Sequence, residues 1–407
     1  MHPFLSTQKY GVRAFRYCSL DLGHAMAAVS ISAALMGWQV SPVDGVSTSR
    51  LATLLGFDRD DGDYEGERER AEVLLRVTIN RSEAKRGDDS QLIARLPPFR
   101  YYHEANKLSR SHYPWPSIDR VAAATEYKPP AHPGVTPSHV GVRPGIAEQA
   151  RVSGEPAAVE VIRSRRTAVA FAKDTKLNFQ AFIDMMRKLL PPAESVTTAP
   201  WGTMGRGFGG GAAEAPFLGI FVHRVKDLSP GQYVLVRSGS VSLLKERMKP
   251  HFVWSRVVSD LELFLLEKRD TKAAAQEVSC NQEIAQDSFF TLGCFSDIAD
   301  LSQLSDGKGI DPNRYRRKHW ECGIVGHMLY LHATALGFGA TGIGCFNDEP
   351  MRKLWMRKNY LGEESGSESR QEASANDPDF MPLYHVAVGA PVIDNRIKTE
   401  RPYSKLK

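Results

Sequence analysis

The residues best equipped for chemistry form a few short blocks. Arg163, Arg165, Arg166 and Thr167 bring guanidinium groups and a hydroxyl together. A guanidinium fork offers paired N–H donors to phosphate oxygens, and the hydroxyl adds a polar contact. An exposed basic helix end has the same composition. In the run Gly342, Ile343 and Gly344, the two glycines lack a Cβ and let another group approach the backbone N–H donors. Paired glycines at a helix-to-strand turn are common, so this segment alone fixes no ligand. Gln282 offers an amide for a ligand or, equally well, for buried backbone. His223 and Arg224 flank a predicted strand, where a strand-end ion pair is the simpler role.

Other constellations are missing. Glu321 and His327 lack HExxH spacing, GTMGRGFGGG (202–211) is not followed by the Lys-Ser/Thr of a phosphate loop, and no GxGxxG follows a strand. That glycine-rich stretch is read as a flexible flap. The five cysteines are odd in number and contain no CxxC spacing, which argues against a zinc site or a disulfide framework and suits a reducing compartment. Cys18, Cys294, Cys322 and Cys345 sit in apolar surroundings and are read as small buried hydrophobes.

Helices and strands must position these groups. AAVEVIRSRR predicts a helix leading into Thr167, and Asn178 caps a second whose Phe179, Phe182, Ile183 and Met186 fall on one face. FLGIFVHRV and YVLVRS read as neighbouring strands joined through LSPGQ, FFTLGCF as a central buried strand, and LYHVAVGAPV as the last strand. Strands and helices mix without a βαβ rhythm, so an α+β layered sheet is expected in place of a doubly wound one.

A chain of 407 residues exceeds one ordinary core and predicts more than one unit. Three regions are expected: a first unit over 1–126, a Pro/Gly-rich linker or arm over 127–155, and a second unit over 156–407 carrying a polar, flexible insertion at 361–379. With 42% hydrophobic and 24% charged residues, the composition is that of a folded globular protein. A net charge of +5 is mild and scattered, so no nucleic-acid partner is implied. No uncharged apolar run of about 20 residues and no signal-peptide core is seen, so no membrane partner and a cytoplasmic location are expected.

One helix occurs twice. Asp21 to Trp38 (DLGHAMAAVSISAALMGW) aligns without a gap on Glu321 to Phe338 (ECGIVGHMLYLHATALGF), 300 positions later. Copies this far apart do not build a solenoid. They suggest two related halves packed as two subunits would pack.

The second unit resembles the nitroreductase-like FMN-dependent oxidoreductases, in particular the SagB/ThcOx-type branch that includes peptide-azoline dehydrogenases. IRSRRTAVAF (162–171), FVHRVKDLSPGQY (221–233), SCNQEIAQDSFF (279–290), HWECGIVGHMLYLHATALGFGATGIGCFND (319–348) and LYHVAVGAPVIDNR (384–396) carry the resemblance, in order. It implies a nitroreductase-like fold in which FMN sits between two subunits. The duplicated helix would make the chain an intramolecular pseudo-dimer and a monomer.

On that resemblance Arg165, Arg166 and Thr167, helped by Arg163, bind FMN phosphate and ribityl oxygens. Gly342, Ile343 and Gly344 pass the flavin ring, Arg396 with Lys398 reaches the phosphate, and Gln282 contacts cofactor or substrate. Val169 replaces a basic residue common in the family. The implied activity is ping-pong hydride transfer from NAD(P)H, or from a reduced substrate, to a small electron-poor acceptor. Two alternatives are a flavin-free interaction protein that retains the fold and an azoline dehydrogenase working with a partner cyclodehydratase. Because 1–126 lacks an Arg-Arg-Thr run and a Gly-Ile-Gly segment, one flavin per chain is expected.

Overall fold

The computed structural model describes residues 10–43, 45–59, 69–79, 93, 95–96, 100–102, 114–128, 156–190, 199–207, 215–297, 313–357, 380–394, 396 and 398. Most of the expected linker and the whole insertion at 361–379 lie outside them.

In chain order the elements are α1 (Ala14–Leu35), β1 (Gln39–Pro42), α2 (Thr48–Leu55), β2 (Leu75–Thr78), α3 (Pro116–Ala124), α4 (Ala158–Ser164), α5 (Phe179–Lys188) and α6 (Ala199–Gly207). They continue with β3 (Phe217–Val222), β4 (Gly231–Leu235), α7 (Val241–Arg247), β5 (Ser255–Arg256), β6 (Leu263–Lys268), α8 (Lys272–Val278) and α9 (Glu283–Gln286). The last are β7 (Phe290–Asp297), α10 (Arg314–Ala335), β8 (Gly339–Ile343), α11 (Asp348–Trp355) and β9 (Phe380–Gly389).

The main sheet has seven strands in the order β5-β6-β4-β3-β7-β9-β8, every neighbouring pair antiparallel. This is the α+β arrangement expected. The strands bury both faces because side chains alternate across the sheet. On β3, Leu218, Ile220 and Val222 join the cluster beneath α1, α5 and α10, while Phe217 and Phe221 join the cluster beneath α7, α8 and α11. Asn178 caps α5 as expected, its Oδ1 accepting from the N–H of Gln180 and of Ala181.

The offset of 300 positions extends well past the one helix. α1 and α10, β1 and β8, and α2 and α11 all begin at equivalent positions. Both long helices end in a left-handed glycine, Gly37 at φ +77° and Gly337 at φ +74°. Each of β1 and β8 then pairs antiparallel with the next described strand, β2 or β9.

α1 and α10 cross backbone to backbone. A Cβ on Gly23 would overlap the carbonyl oxygen of Trp320, and one on Gly323 would overlap that of Leu20. These two contacts exchange under the offset, since Leu20 and Trp320 are themselves equivalent. Phe15 stacks on its equivalent Tyr315 (6.3 Å). Arg16 Nε donates to the Tyr315 hydroxyl (3.2 Å), and the Arg316 guanidinium lies over Phe15 (5.4 Å). Reciprocal contacts of this kind characterise an isologous interface.

The stretch Gly11–Leu35 is long and apolar enough to cross a membrane by length and composition, a test that core helices also pass; its Gly23 face is committed to α10. Two expectations change. The start of the glycine-rich stretch is helical in α6, and it is not a flap over that part: Thr203 is buried, its hydroxyl donating to Val40 O and bonding Ser30. Cys345 is exposed and not a core residue.

Candidate functional site

Of the expected binding residues, Arg165, Thr167 and Gly342 lie along the outer edge of β8. Ala340 and Gly342 turn their backbone polar groups away from β9. Ala340 O accepts from Ala168 N–H (3.0 Å), and Gly342 N–H donates to the Tyr330 hydroxyl (2.8 Å). The chain leaving α4 thus runs beside β8, with Thr167 bridging Ala340 and the Thr341 hydroxyl donating to Ala168 O. Further on, Ala172 N–H donates to Ala390 O (2.8 Å) and Val392 N–H to Ala170 O (3.0 Å), drawing the segment before Arg396 alongside.

Tyr330, projecting from α10, links these pieces. Its hydroxyl lies 3.3 Å from Thr167 Oγ1 as well as accepting from Gly342, and the Arg165 guanidinium sits 5.4 Å from its ring centre. The site therefore contains Arg165, Thr167, Tyr330 and Gly342. Arg166 is exposed and folds back on the carbonyls of Arg163 and Arg165. Arg163, on α4, is exposed, as are Val169 and Lys398. Arg396 is exposed and pairs with Asp394 (2.8 Å); among the described residues no bond joins it to Arg165. Gln282 Nε2 donates to Cys345 O (3.1 Å), which makes it a brace behind the segment. Ile343 is buried in the core under α11.

α1 reaches the same place. His24, on α1, approaches the rings of His327 (5.7 Å) and Tyr330 (5.9 Å), and its Nε2 lies 3.1 Å from the Tyr384 hydroxyl. A Cβ on Gly326 would overlap His24 and Tyr384, so that glycine makes room for the cluster. Burial, then His327 and Arg165, lower the His24 pKa to about 3; burial and Arg165 lower that of His327 to about 4. Both are neutral at pH 7, which leaves Arg165 as the cation of this cluster. Tyr17, also on α1, covers Gly344, and burial followed by the Cys345 thiol pushes its pKa up to about 12.

Tyr17, His24, Tyr330 and Tyr384 were not singled out from sequence. The available signal was polar rings inside otherwise apolar, helix-packed stretches. His223 and Arg224 belong to a different place: His223 Nδ1 meets the Thr271 hydroxyl (3.2 Å), and Arg224 donates to the carbonyls of Ala172 and Asp287, which explains both as structural.

No family model matches the chain, and no curated protein matches it. Among solved structures, a chain assigned as a nitroreductase from Anabaena variabilis matches with a TM-score of 0.58 at 16% identity, over 96% of this chain and 68% of that one. The fold is therefore nitroreductase-like. A chain assigned as a nitroreductase in complex with FMN from Exiguobacterium sibiricum matches 62% of this chain and 96% of its own, at 13% identity and a TM-score of 0.28. One assigned as an NAD(P)H:FMN oxidoreductase from Staphylococcus epidermidis matches 62% and 94%, at 13% and 0.27. Superpositions that loose carry no inference.

Proposed function

We propose that the chain is an FMN-dependent oxidoreductase whose first copy replaces the second subunit of a homodimer. The observation that carries this reading is the join at β8, where Arg165, Thr167, Tyr330 and the outward backbone of β8 meet His24 and Tyr17 of the first copy. The site lies between two halves that contact each other reciprocally.

The residues fit the cofactor at its phosphate end. Arg165, Arg166 and Thr167 offer cations and a hydroxyl for a dianion, and Arg396 follows, four residues on, the 390–392 segment that pairs beside residues 170–172. At the ring end the donor role moves from Gly342, whose N–H is committed to Tyr330, to Gly344, whose N–H takes part in none of the described hydrogen bonds. When bound, FMN supplies two-electron hydride chemistry. The chain's own part is to hold the phosphate, to aim a backbone N–H at developing negative charge, and to keep water off the ring edge with Tyr17 and Tyr384. Neutral His24 and the Tyr384 hydroxyl can hold a proton between Nε2 and oxygen without adding charge. NAD(P)H as donor, a small electron-poor acceptor and a monomeric state belong to the same reading.

A second reading, a flavin-free interaction protein, is favoured by one observation: Tyr384 fills the Cβ side of Gly342 and the Tyr17 ring fills that of Gly344. Absorbance of the purified protein separates the two. A yellow protein releasing close to one FMN per chain supports the oxidoreductase. A colourless protein that takes up no added FMN selects the scaffold, and two FMN per chain contradicts the loss of a second site.

A further inference from the structure

Two cysteines from distant parts of the chain meet behind Gly344. Cys280 lies in the turn between α8 and α9, and Cys345 in the turn between β8 and α11. Their sulfurs are 2.6 Å apart, the Cys345 thiol pointing to Cys280 Sγ, roughly half an ångström beyond the ~2.04 Å of a disulfide.

The approach is built by its surroundings. Gln282 Nε2 donates to Cys345 O (3.1 Å), Asn347 N–H to Val278 O (2.8 Å) and Asn347 Nδ2 to Glu277 O (3.1 Å), so the two turns are stitched on both sides of the sulfurs. Beneath them Ser279 Oγ bonds His385 Nδ1 (3.2 Å), and Phe346 stacks on the His385 ring (4.4 Å). Cys280 and Asn281 adopt left-handed backbone, φ +54° and +56°. Non-glycine residues hold that conformation where neighbouring contacts over-determine it. Access is asymmetric: Cys345 is exposed and Cys280 partly so, while Cys18, Cys294 and Cys322 are buried.

We propose that Cys280 and Cys345 are a redox-active dithiol that closes to a disulfide by exchange with a small-molecule disulfide of the glutathione class. The Cys345 thiol gives up its proton and its thiolate attacks one sulfur of the oxidant, whose S–S bond breaks and whose other half leaves as a thiolate that takes the proton. Cys280 then loses its proton and attacks Cys345 Sγ, and the second half leaves as a thiol. Two protein thiols are oxidised and one disulfide is reduced to two thiols, so electrons and protons balance. The product clamps the turn carrying Gly344 to the α8–α9 turn. Burial and the neighbouring thiol raise the Cys280 pKa to about 11, so closure accelerates as pH rises towards that value.

The experiment uses the reduced full-length protein and excess oxidised glutathione at pH 8, followed by thiol counting in denaturant and peptide mapping without reduction. The expected count falls from five thiols to three, with a single cross-link between the peptides carrying Cys280 and Cys345. Cys280→Ser is expected to stop at a glutathione adduct on Cys345, and Cys345→Ser to retain its four thiols. Both positions reach solvent, and circular dichroism checks that the variants fold. Retention of all five thiols overturns the proposal. So does an adduct that persists on Cys345 in the unsubstituted protein, or a cross-link through another cysteine.

Discussion

The segments 14–78 and 314–389 follow the same order of helix, strand, helix and strand, yet they end in different company. In the second segment β8 and β9 complete a seven-stranded sheet; in the first, β1 and β2 form a separate two-stranded ribbon. The position equivalent to Gly342 is Pro42, which has no N–H to donate. Glu321 pairs with the buried Arg237 (2.9 Å), whereas its equivalent Asp21 is exposed. Both segments contribute a glycine to the crossing of the long helices. Close packing is thus shared by both sides, and the donor backbone and cationic run belong to one.

The comparison is tested most severely at that crossing. Gly23→Leu and Gly323→Leu each drive a side chain into a carbonyl of the opposite helix, and each should cost about 3 kcal/mol or more in urea unfolding. If one is tolerated and the other is not, the two sides of the crossing are not equivalent. Gly37→Ala and Gly337→Ala meet no neighbour within 4 Å but carry positive φ, so each should cost only about 1 kcal/mol.

Next in size is the cation. Arg165→Ala should weaken FMN binding about tenfold or more, equivalent to about 1.4 kcal/mol, while Arg396→Ala, at a residue already paired with Asp394, should weaken it less. An equal loss from the two, read by fluorescence titration, would place the phosphate midway between them.

Acid should then act through histidines that folding largely removes from water. Burial lowers His24 and His385 to about 3, and His223, His319, His327 and His332 to about 4. Between those values and the ordinary ~6.5 the unfolded chain binds more protons, so stability falls as pH drops through this window and is fully present above it. Urea midpoints at pH 7, 6 and 5 should decline in that order; a flat series would mean these histidines titrate normally.

Smaller effects are expected at Tyr330 and Val169. Tyr330→Phe leaves Gly342 N–H without its partner and should cost about 1 kcal/mol. Val169→Arg, at a side chain that is 62% exposed, adds a cation without crowding and should tighten FMN a few-fold. Unchanged affinity would remove Val169 from the edge of the phosphate site.

Much of this was legible in the residues themselves. The helix repeat could be read because glycines and small residues at a backbone crossing tolerate little change, and the strands because alternating or continuous apolar runs mark a sheet covered on one face or both. The wider correspondence was not: Thr48–Leu55 and Asp348–Trp355 share a length and a starting position but few residue types, since one packs in a small cluster with Val46 and Ala71 and the other under the large sheet. Gly342 and Gly344 looked interchangeable as donors until the pairing of β8 with β9 fixed which N–H groups face outwards and Tyr330 claimed the first. The sulfur pair escaped notice because its members are 65 positions apart, brought together by tertiary contacts that spacing rules do not encode.

The meeting of Gly23 with Gly323 happens inside one polypeptide. Dilution therefore cannot separate these helices, and their docking is a first-order event whose rate is independent of protein concentration. Each side can also change alone, because a substitution on one helix is not copied onto the other as it would be between identical subunits.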